Sequence, residues 1–213
     1  MMIKITTKNL LAVLIVMMSM MWTSASTANA ESMPLPQQLM KDASDKMLKA
    51  LKDNKQQLEE EPSVIYDLVQ EILMPNFDFY KMSKLALGKN WRQANEEQRE
   101  LFVNEFRLLL VRTYSTAMLE YTDEEIRFLP FHDDLSSKRV KVAMEIIQPA
   151  GPSIPMSVSM YQNDESEWKV YDVKIDGISL VTNYRSTFST QIRNEGIENL
   201  IKDLASRNKK VKA

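Results

Sequence analysis

The spacing of the apolar residues changes near residue 121, and this change constrains the fold more than any other feature of the sequence. Before that point, apolar side chains recur every three or four residues, as on one face of an α-helix. Between residues 126 and 175 they alternate with polar residues, which is typical of strands buried on one side. The helical spacing returns after Gly177. Helices, then an antiparallel meander, then helices is the order of an α+β domain.

Local signals refine the predicted helices. Ser63 is the expected cap of the second helix, after Pro62 has ended the first. Gly88 suits a left-handed cap at the end of the third helix. Asn95 and Gln98 have the spacing of a capping box at the start of the longest helix. The predicted helices cover about residues 37–60, 64–74, 79–87, 96–121, 179–193 and 197–206.

The strand region predicts a sheet with one apolar face. Its four segments cover about residues 126–130, 139–148, 154–160 and 167–175. Because an antiparallel sheet of this kind buries only one face, the helices must cover that face. We therefore predict a helical layer on a curved antiparallel sheet of about four strands, a cone-shaped (NTF2/cystatin-like) fold with an apolar cavity between the layers.

The N-terminus has the three parts of a secretory signal peptide. Lys4 and Lys8 precede an uncharged apolar run over residues 10–21, and Ala28 and Ala30 suit the signal peptidase pocket. The run is about a dozen residues, against roughly 20 for a membrane-spanning helix. We expect residues 1–30 to be removed, leaving residues 31–213 as a single domain with a loose basic tail at about 207–213.

Composition excludes several classes of function. The chain has no Cys, which rules out disulfides and thiol catalysis. Its formal net charge of −2 becomes −4 without the two lysines of the leader, and an acidic domain has no electrostatic basis for binding nucleic acid. The short basic tail is better explained as a solvated helix end.

Candidate catalytic residues are few. The one histidine, His132, lies in a polar loop beside acidic residues, and a dedicated zinc site needs three or four ligands, so no metal is expected. No phosphate-loop, dinucleotide-binding or nucleophile-elbow motif occurs. Asp172 and Asp176 on the last strand could serve a small isomerase or hydratase. However, Asp172 should point away from the face that Tyr171 and Val173 share, and the turn at Asp176 simply ends the strand.

The long helix carries an apolar stripe that has two possible roles. Phe102, Phe106, Leu109, Leu110 and Tyr114 recur at helical spacing. Every packed helix shows such a stripe, so the residues alone favour a core over a ligand pocket. Both interpretations remain open at this point.

Several segments resemble one protein family. They are residues 73–91, residues 98–106, residues 110–114, Trp168, residues 171–173, residues 177–180 and the pair of helices at the C-terminus. Together they are similar to the MlaC family of periplasmic phospholipid-binding proteins, also called the toluene-tolerance family. The resemblance covers roughly residues 39–207, nearly the whole mature chain.

The resemblance implies a soluble carrier in the Gram-negative periplasm, and because a shuttle must dock at two membranes we expect it to be a monomer. It would shuttle phospholipid between an outer-membrane lipoprotein–porin complex and an inner-membrane ABC transporter with a lipid-binding ring, and so maintain the lipid asymmetry of the outer membrane. No catalysis and no cofactor are expected, since bound phospholipid is the cargo. Two alternatives stay open: an isomerase or hydratase on the same scaffold, and a periplasmic adaptor or chaperone with a polypeptide-binding groove.

The implied lipid-binding residues come from both layers. From the helices we expect Leu85, Phe102, Phe106, Leu109, Leu110 and Tyr114. From the sheet we expect Val142, Met144, Ile146, Met156, Val158 and Met160. The mouth would be closed by Ile178, Val181, Tyr184 and Phe188.

Overall fold

The computed structural model describes residues 33–120, 124–149 and 151–210. The predicted signal peptide, its cleavage point and the last three residues of the basic tail lie outside the described residues. The helices are α1 (Leu35–Asp53), α2 (Lys55–Glu60), α3 (Val64–Ile72), α4 (Phe79–Leu87), α5 (Glu96–Met118), α6 (Leu180–Glu195) and α7 (Ile197–Lys210). Short 3-10 helices lie at Met74–Asn76, Gly88–Arg92 and Leu135–Ser137. No described helix is both long enough and apolar enough to span a bilayer.

The strands form one antiparallel sheet in chain order. They are β1 (Glu125–Phe128), β2 (Arg139–Ile147), β3 (Ile154–Gln162), β4 (Trp168–Ile175) and β5 (Ile178–Ser179). The predicted α+β fold is confirmed, with five strands instead of about four. The fifth has only two residues and pairs with the end of β4, so it is too short to produce an alternating pattern in the sequence.

An irregularity in the pairing of β3 with β4 changes which residues of β4 point inward. The register shifts between Ser159 and Met160, so Val170 and Val173 are both buried although they are three residues apart. Tyr171 is not on the face of Val173; its ring lies 5.9 Å from that of Tyr161 on the other side of the sheet. The predicted alternation was therefore wrong here, because a bulge interrupts the two-residue period.

Two predicted helix starts had different outcomes. The capping box is confirmed: the Gln98 backbone N–H donates to the Asn95 side chain at 2.8 Å, and the Asn95 N–H donates to the Gln98 side chain at 3.1 Å. The Ser63 cap was wrong. The Ser63 backbone is already helical and its hydroxyl donates to the Glu61 carboxylate instead, because a turn at residues 61–63 precedes the helix.

Two helix ends also bear on the predictions. The first predicted helix is divided at Asn54, whose side-chain amide donates to the Ala50 carbonyl and ends α1. Gly88 follows α4 with φ +56° and ψ −121°. The positive φ agrees with the prediction, and the ψ value belongs to a region that only glycine visits readily.

The described core consists of three apolar clusters. The helix cluster lies between α4, α5, α6 and α7, and the sheet cluster lies between α1 and strands β2–β4. A third, N-terminal cluster joins α1, α2 and α3 to α5. The helix and sheet clusters contain most of the residues that the sequence predicted as lipid-binding.

Candidate functional site

Nine of the sixteen predicted lipid-binding residues lie in or against the helix cluster. Five are buried and four are half-buried. They are Leu85, Phe102, Phe106, Leu109, Leu110, Tyr114, Val181, Tyr184 and Phe188. These residues come from α4, α5 and α6, so two neighbouring helices and a third that follows the sheet form one apolar wall.

Four aromatic rings form the centre of this wall. Phe106 lies 5.6 Å from Phe102 in a stacked pair, and it meets Tyr184 and Phe188 edge-on at 5.2 and 5.5 Å. Phe188 also meets Phe102 edge-on at 5.4 Å. Edge-to-face and offset-stacked rings add to the free energy of burial, by about 0.5–1.5 kcal/mol per pair.

Five further predicted residues form the opposite wall, on the inner face of the sheet. Val142, Met144, Val158 and Met160 are buried and Met156 is half-buried. Val142 faces Val158 across the strands, and Met144 faces Met156. Adjacent strands therefore carry these side chains on one continuous surface that includes three methionines, whose unbranched chains adapt to different shapes.

Two predicted residues lie outside both clusters. Ile146 is half-buried and pairs with Ile126 and Ile154 at the far end of β2. Ile178 is 60 % exposed in β5, so this structure does not bring it to the helix wall with Val181, Tyr184 and Phe188. The use of any of the sixteen residues in lipid binding stays a prediction.

The two walls meet at a boundary that we call the seam, marked by Phe77 and Tyr114. Among the described residues, only these two half-buried side chains pack against both the helix cluster and the sheet cluster. Phe77 is held beside the free edge of β4: it forms an isolated parallel bridge with Val170, and the Asp78 N–H donates to the Val170 carbonyl at 2.9 Å. The seam is thus a place where the helix cluster and the sheet cluster come into contact, in addition to the packing of α1 on the sheet.

Tyr114 is electrostatically unusual for a residue at such a boundary. Burial, together with its interaction with Tyr184, raises the pKa of Tyr114 to about 12. Burial also raises the pKa of Tyr184. Both phenols are thus harder to ionise than an ordinary tyrosine, and Tyr114 brings a neutral hydroxyl group to the seam.

Sequence reasoning missed Phe77, Trp168 and Val170 as parts of these walls. Trp168 and Val170 are buried in the sheet cluster, and their alternation in β4 is a signal that could have identified them. Phe77 had no such signal. It follows a 3-10 helix, and its position depends on its backbone bridge to β4.

Two open clefts among the described residues lie on the helical surface. One, which we call the basic cleft, has a volume of about 360 Å³. It is lined by Lys84, Leu85, Gly88, Lys89, Trp91, Arg92 and Arg185. The other has about 370 Å³ and is lined by Phe79, Tyr80, Glu100, Val103, Asn104 and Arg107.

The candidate catalytic carboxylates have structural contacts. Asp172 accepts a hydrogen bond from the Ser179 hydroxyl at 2.7 Å and another from the Val181 N–H at 3.2 Å, both at the start of α6. Asp176 is exposed in the turn between β4 and β5 with φ +49°. Asp172 therefore positions a helix, and Asp176 completes a turn.

The loop around His132 is organised by its acidic residues. The Asp133 carboxylate accepts the Lys141 N–H at 2.6 Å, and the Asp134 carboxylate accepts the Ser136 N–H at 2.8 Å. The hydrogen bonds from Ser136 lower the pKa of Asp134. Within residues 33–120, 124–149 and 151–210, no group of three or more His, Asp or Glu is placed to hold a metal ion.

Comparison with known proteins identifies the family of this chain. The model of the MlaC protein family matches residues 41–206. The chain belongs to the MlaC family. The resemblance inferred from the sequence segments is thereby confirmed, over nearly the same residues.

Named relatives of this family agree. The toluene tolerance protein Ttg2D of Pseudomonas putida is 30 % identical over 162 residues, 76 % of this chain and 74 % of the relative. The intermembrane phospholipid transport system binding protein MlaC of Haemophilus influenzae is 25 % identical over 177 residues, 82 % of each chain.

A solved structure of similar fold contains a ligand. It is a phospholipid-binding protein from Ralstonia solanacearum in complex with a phospholipid. It superposes with a TM-score of 0.76 at 26 % identity, covering 83 % of this chain and 98 % of that protein. The helical layer and open sheet described above are therefore an architecture that holds a phospholipid in a relative.

Proposed function

We propose that this protein is a periplasmic phospholipid carrier that shuttles lipid between an outer-membrane lipoprotein–porin complex and an inner-membrane ABC transporter. The observation that carries the proposal is the Ralstonia relative, which has the same fold and is in complex with a phospholipid. The Haemophilus relative is named for intermembrane phospholipid transport, which supports a role in transport in addition to lipid binding.

The energetics of the cargo explain why a carrier is needed. Each buried methylene is worth about 0.8 kcal/mol, so two 16-carbon tails would expose on the order of 25 kcal/mol of apolar surface to water. The tails must therefore be enclosed while they cross an aqueous compartment. The two apolar walls supply suitable surfaces.

The bound tails would occupy the space between the two walls. Two tails need a volume near the top of the roughly 300–1,000 Å³ range of ligand pockets, more than either surface cleft provides. In this structure the walls contact each other through Phe77 and Tyr114. Lipid entry therefore requires the helix cluster and the sheet cluster to separate along the seam.

Export completes the proposal. A carrier between two membranes must leave the cytoplasm and be free of both membranes, so we propose cleavage of the leader after Ala30. Sequencing the N-terminus of protein purified from the periplasm should give Glu31 as the first residue. An intact leader on the purified protein would contradict this part of the proposal.

A charge placed on the helix wall should prevent lipid carriage. Leu109 is half-buried against the helix cluster, and burying an unpaired carboxylate costs several kcal/mol. We expect Leu109→Glu to reduce co-purifying phospholipid by about tenfold or more, as measured by mass spectrometry under non-denaturing conditions. Circular dichroism checks that the variant is folded.

Leu101→Glu is the matched control, because it introduces the same charge on the same helix at a side chain that is 46 % exposed. It should keep the wild-type amount of lipid. If Leu109→Glu also keeps it, the helix wall does not line the lipid site. If the wild-type protein itself carries no phospholipid, the carrier proposal fails.

A further inference from the structure

The basic cleft concentrates positive charge on a chain whose net charge is negative. Lys84 comes from α4, Lys89 and Arg92 from the 3-10 helix that follows, and Arg185 from α6. All four are exposed. Among the described residues, none of the four forms an ion pair. Four cations around one concavity attract an anion, because their fields add there.

Arg185 is held in position before any ligand arrives. Its Nε donates to the Leu85 carbonyl at 2.6 Å. Its side chain also lies against Gly88, where a Cβ would meet the Cδ and Nε atoms of Arg185 at 3.4 Å. That distance is the lower limit of ordinary van der Waals contact, so the backbone at position 88 and the arginine pack closely. The contact at Nε does not use the two terminal amino groups of the guanidinium. They make no hydrogen bond with any described residue and are available to a ligand.

The C-terminus of α4 explains the position of some of these cations without a ligand, but not of all four. Cations are favourable near the C-terminus of a helix, where the last carbonyls carry a partial negative charge. That accounts for Lys84 in the last turn of α4 and for the Nε contact of Arg185. It does not require Lys89 and Arg92 to line the same cleft.

The floor of the cleft continues into the helix wall. Leu85 and Trp91 line the cleft and also pack in the helix cluster, where Trp91 is buried. The residue before Arg185 is Tyr184, one of the four rings at the centre of the wall. A molecule with an apolar part on the helix wall and an anionic part outside it could therefore contact both regions.

We propose that the basic cleft binds a phosphate group, with Arg185 as the forked donor and Lys89, Lys84 and Arg92 as its charged surroundings. The planar guanidinium matches a phosphate with two parallel hydrogen bonds, and the lysines contribute as point charges. Two sources have this chemistry: the headgroup of the phospholipid cargo and free phosphate. The headgroup source rests on the proposed carrier function, whereas the free-phosphate source does not.

The test compares a lipid that carries a phosphate with one that lacks it, and both with phosphate alone. Delipidated protein is titrated with phosphatidylglycerol, with diacylglycerol of the same chains, and with inorganic phosphate. The variant is the Lys89→Gln, Arg185→Gln double substitution. The matched control is Lys46→Gln with Lys52→Gln, which removes the same charge from exposed positions of α1.

We expect wild type and control to bind phosphatidylglycerol at least about tenfold more tightly than diacylglycerol, since hydrogen bonds to charged groups are the stronger ones. The double variant should lose this preference but bind diacylglycerol as wild type does. Arg185→Lys should be intermediate, because an ammonium cannot contact the Leu85 carbonyl and present a fork at the same time.

The other outcomes are also decisive. If the double substitution weakens the binding of inorganic phosphate but not of phosphatidylglycerol, the cleft binds free phosphate and the headgroup source is wrong. If the double variant matches wild type for all three ligands, or weakens both lipids equally, the proposal is overturned. If no version binds either lipid, the carrier function fails, and the inorganic phosphate titration alone decides the cleft.

Discussion

At the scale of the residue, Tyr114 shows how one side chain can belong to two apolar clusters. Its ring packs against both the helix cluster and the sheet cluster, while its hydroxyl interacts with Tyr184. Tyrosine suits such a place because it combines a large apolar ring with one polar end. A boundary that must open for a lipid can then keep a polar contact without burying a charge.

The raised pKa of Tyr114 predicts a loss of stability at alkaline pH. The unfolded chain ionises this phenol near its ordinary pKa of 10.0, whereas the folded protein retains the proton until about 12. The neutral phenol therefore contributes its full stability below pH 10, and this contribution is lost as the pH rises through 12. Urea unfolding at pH 8 to 12 should show the decline.

Tyr114→Phe removes the titrating group and should make this alkaline decline shallower. Some decline will remain, since the pKa of Tyr161 is also raised to about 12 by burial and its hydrogen bond to Asp78. A slope identical to that of wild type would show that Tyr114 does not titrate differently in the folded and unfolded states.

At the scale of the element, the start of α6 shows why a carboxylate in a sheet need not be catalytic. Asp172 accepts hydrogen bonds from Ser179 and Val181, and Ser179 in turn caps the helix by accepting the Thr182 N–H. The Asp172 carboxylate thereby links β4 to the start of α6. The helix so positioned carries Tyr184, Arg185 and Phe188.

Asp172→Ala should lower the free energy of unfolding by about 1–2 kcal/mol, the usual cost of a lost helix cap or hydrogen-bond acceptor. Chemical denaturation measures this effect. Asp172→Asn, which keeps one acceptor oxygen, should cost less. Both folded variants should still bind phospholipid, and abolished binding with unchanged stability would instead assign Asp172 a direct role at the ligand.

At the scale of the whole molecule, the apolar residues form two walls in contact across the seam. In the form described here, contacts between the side chains of the two walls stabilise the protein. A bound lipid would replace these contacts by contacts between each wall and the acyl chains. The carrier can therefore exist with or without cargo, because apolar surface is covered in both forms.

Cargo should consequently stabilise the folded protein. At a lipid concentration about a hundred times the dissociation constant, binding contributes about 2.7 kcal/mol, or roughly 5–10 °C in Tm for a domain of this size. Calorimetry of the protein before and after delipidation should show a shift of this order. Leu109→Glu should show little change on the same treatment, and a wild type with no shift would contradict binding between the walls.

Particular residues show how far prediction from sequence reached. Val142 and Val158 were placed on one face from alternation alone, and the register pairs them directly. Tyr171 was misplaced because a bulge is a property of two paired strands and leaves no mark in one of them. Phe77 was missed because its position depends on a backbone bridge to Val170, which is 93 residues away.

The sequence by itself determined the family, the α+β order, the capping box at Asn95 and the apolar faces of the long helix and of strands β2 and β3. These features depend on residues that are near one another in the chain, where helix and strand periods and short motifs operate. Only the tertiary structure decided the seam, the role of Asp172 and the meeting of Lys84, Lys89, Arg92 and Arg185 around one cleft. The seam and the cleft depend on contacts between residues about a hundred positions apart, Phe77 with Val170 and Leu85 with Arg185. The partners of Asp172 are only seven and nine residues away, but they are reached across the turn that joins the sheet to α6, which no local pattern encodes.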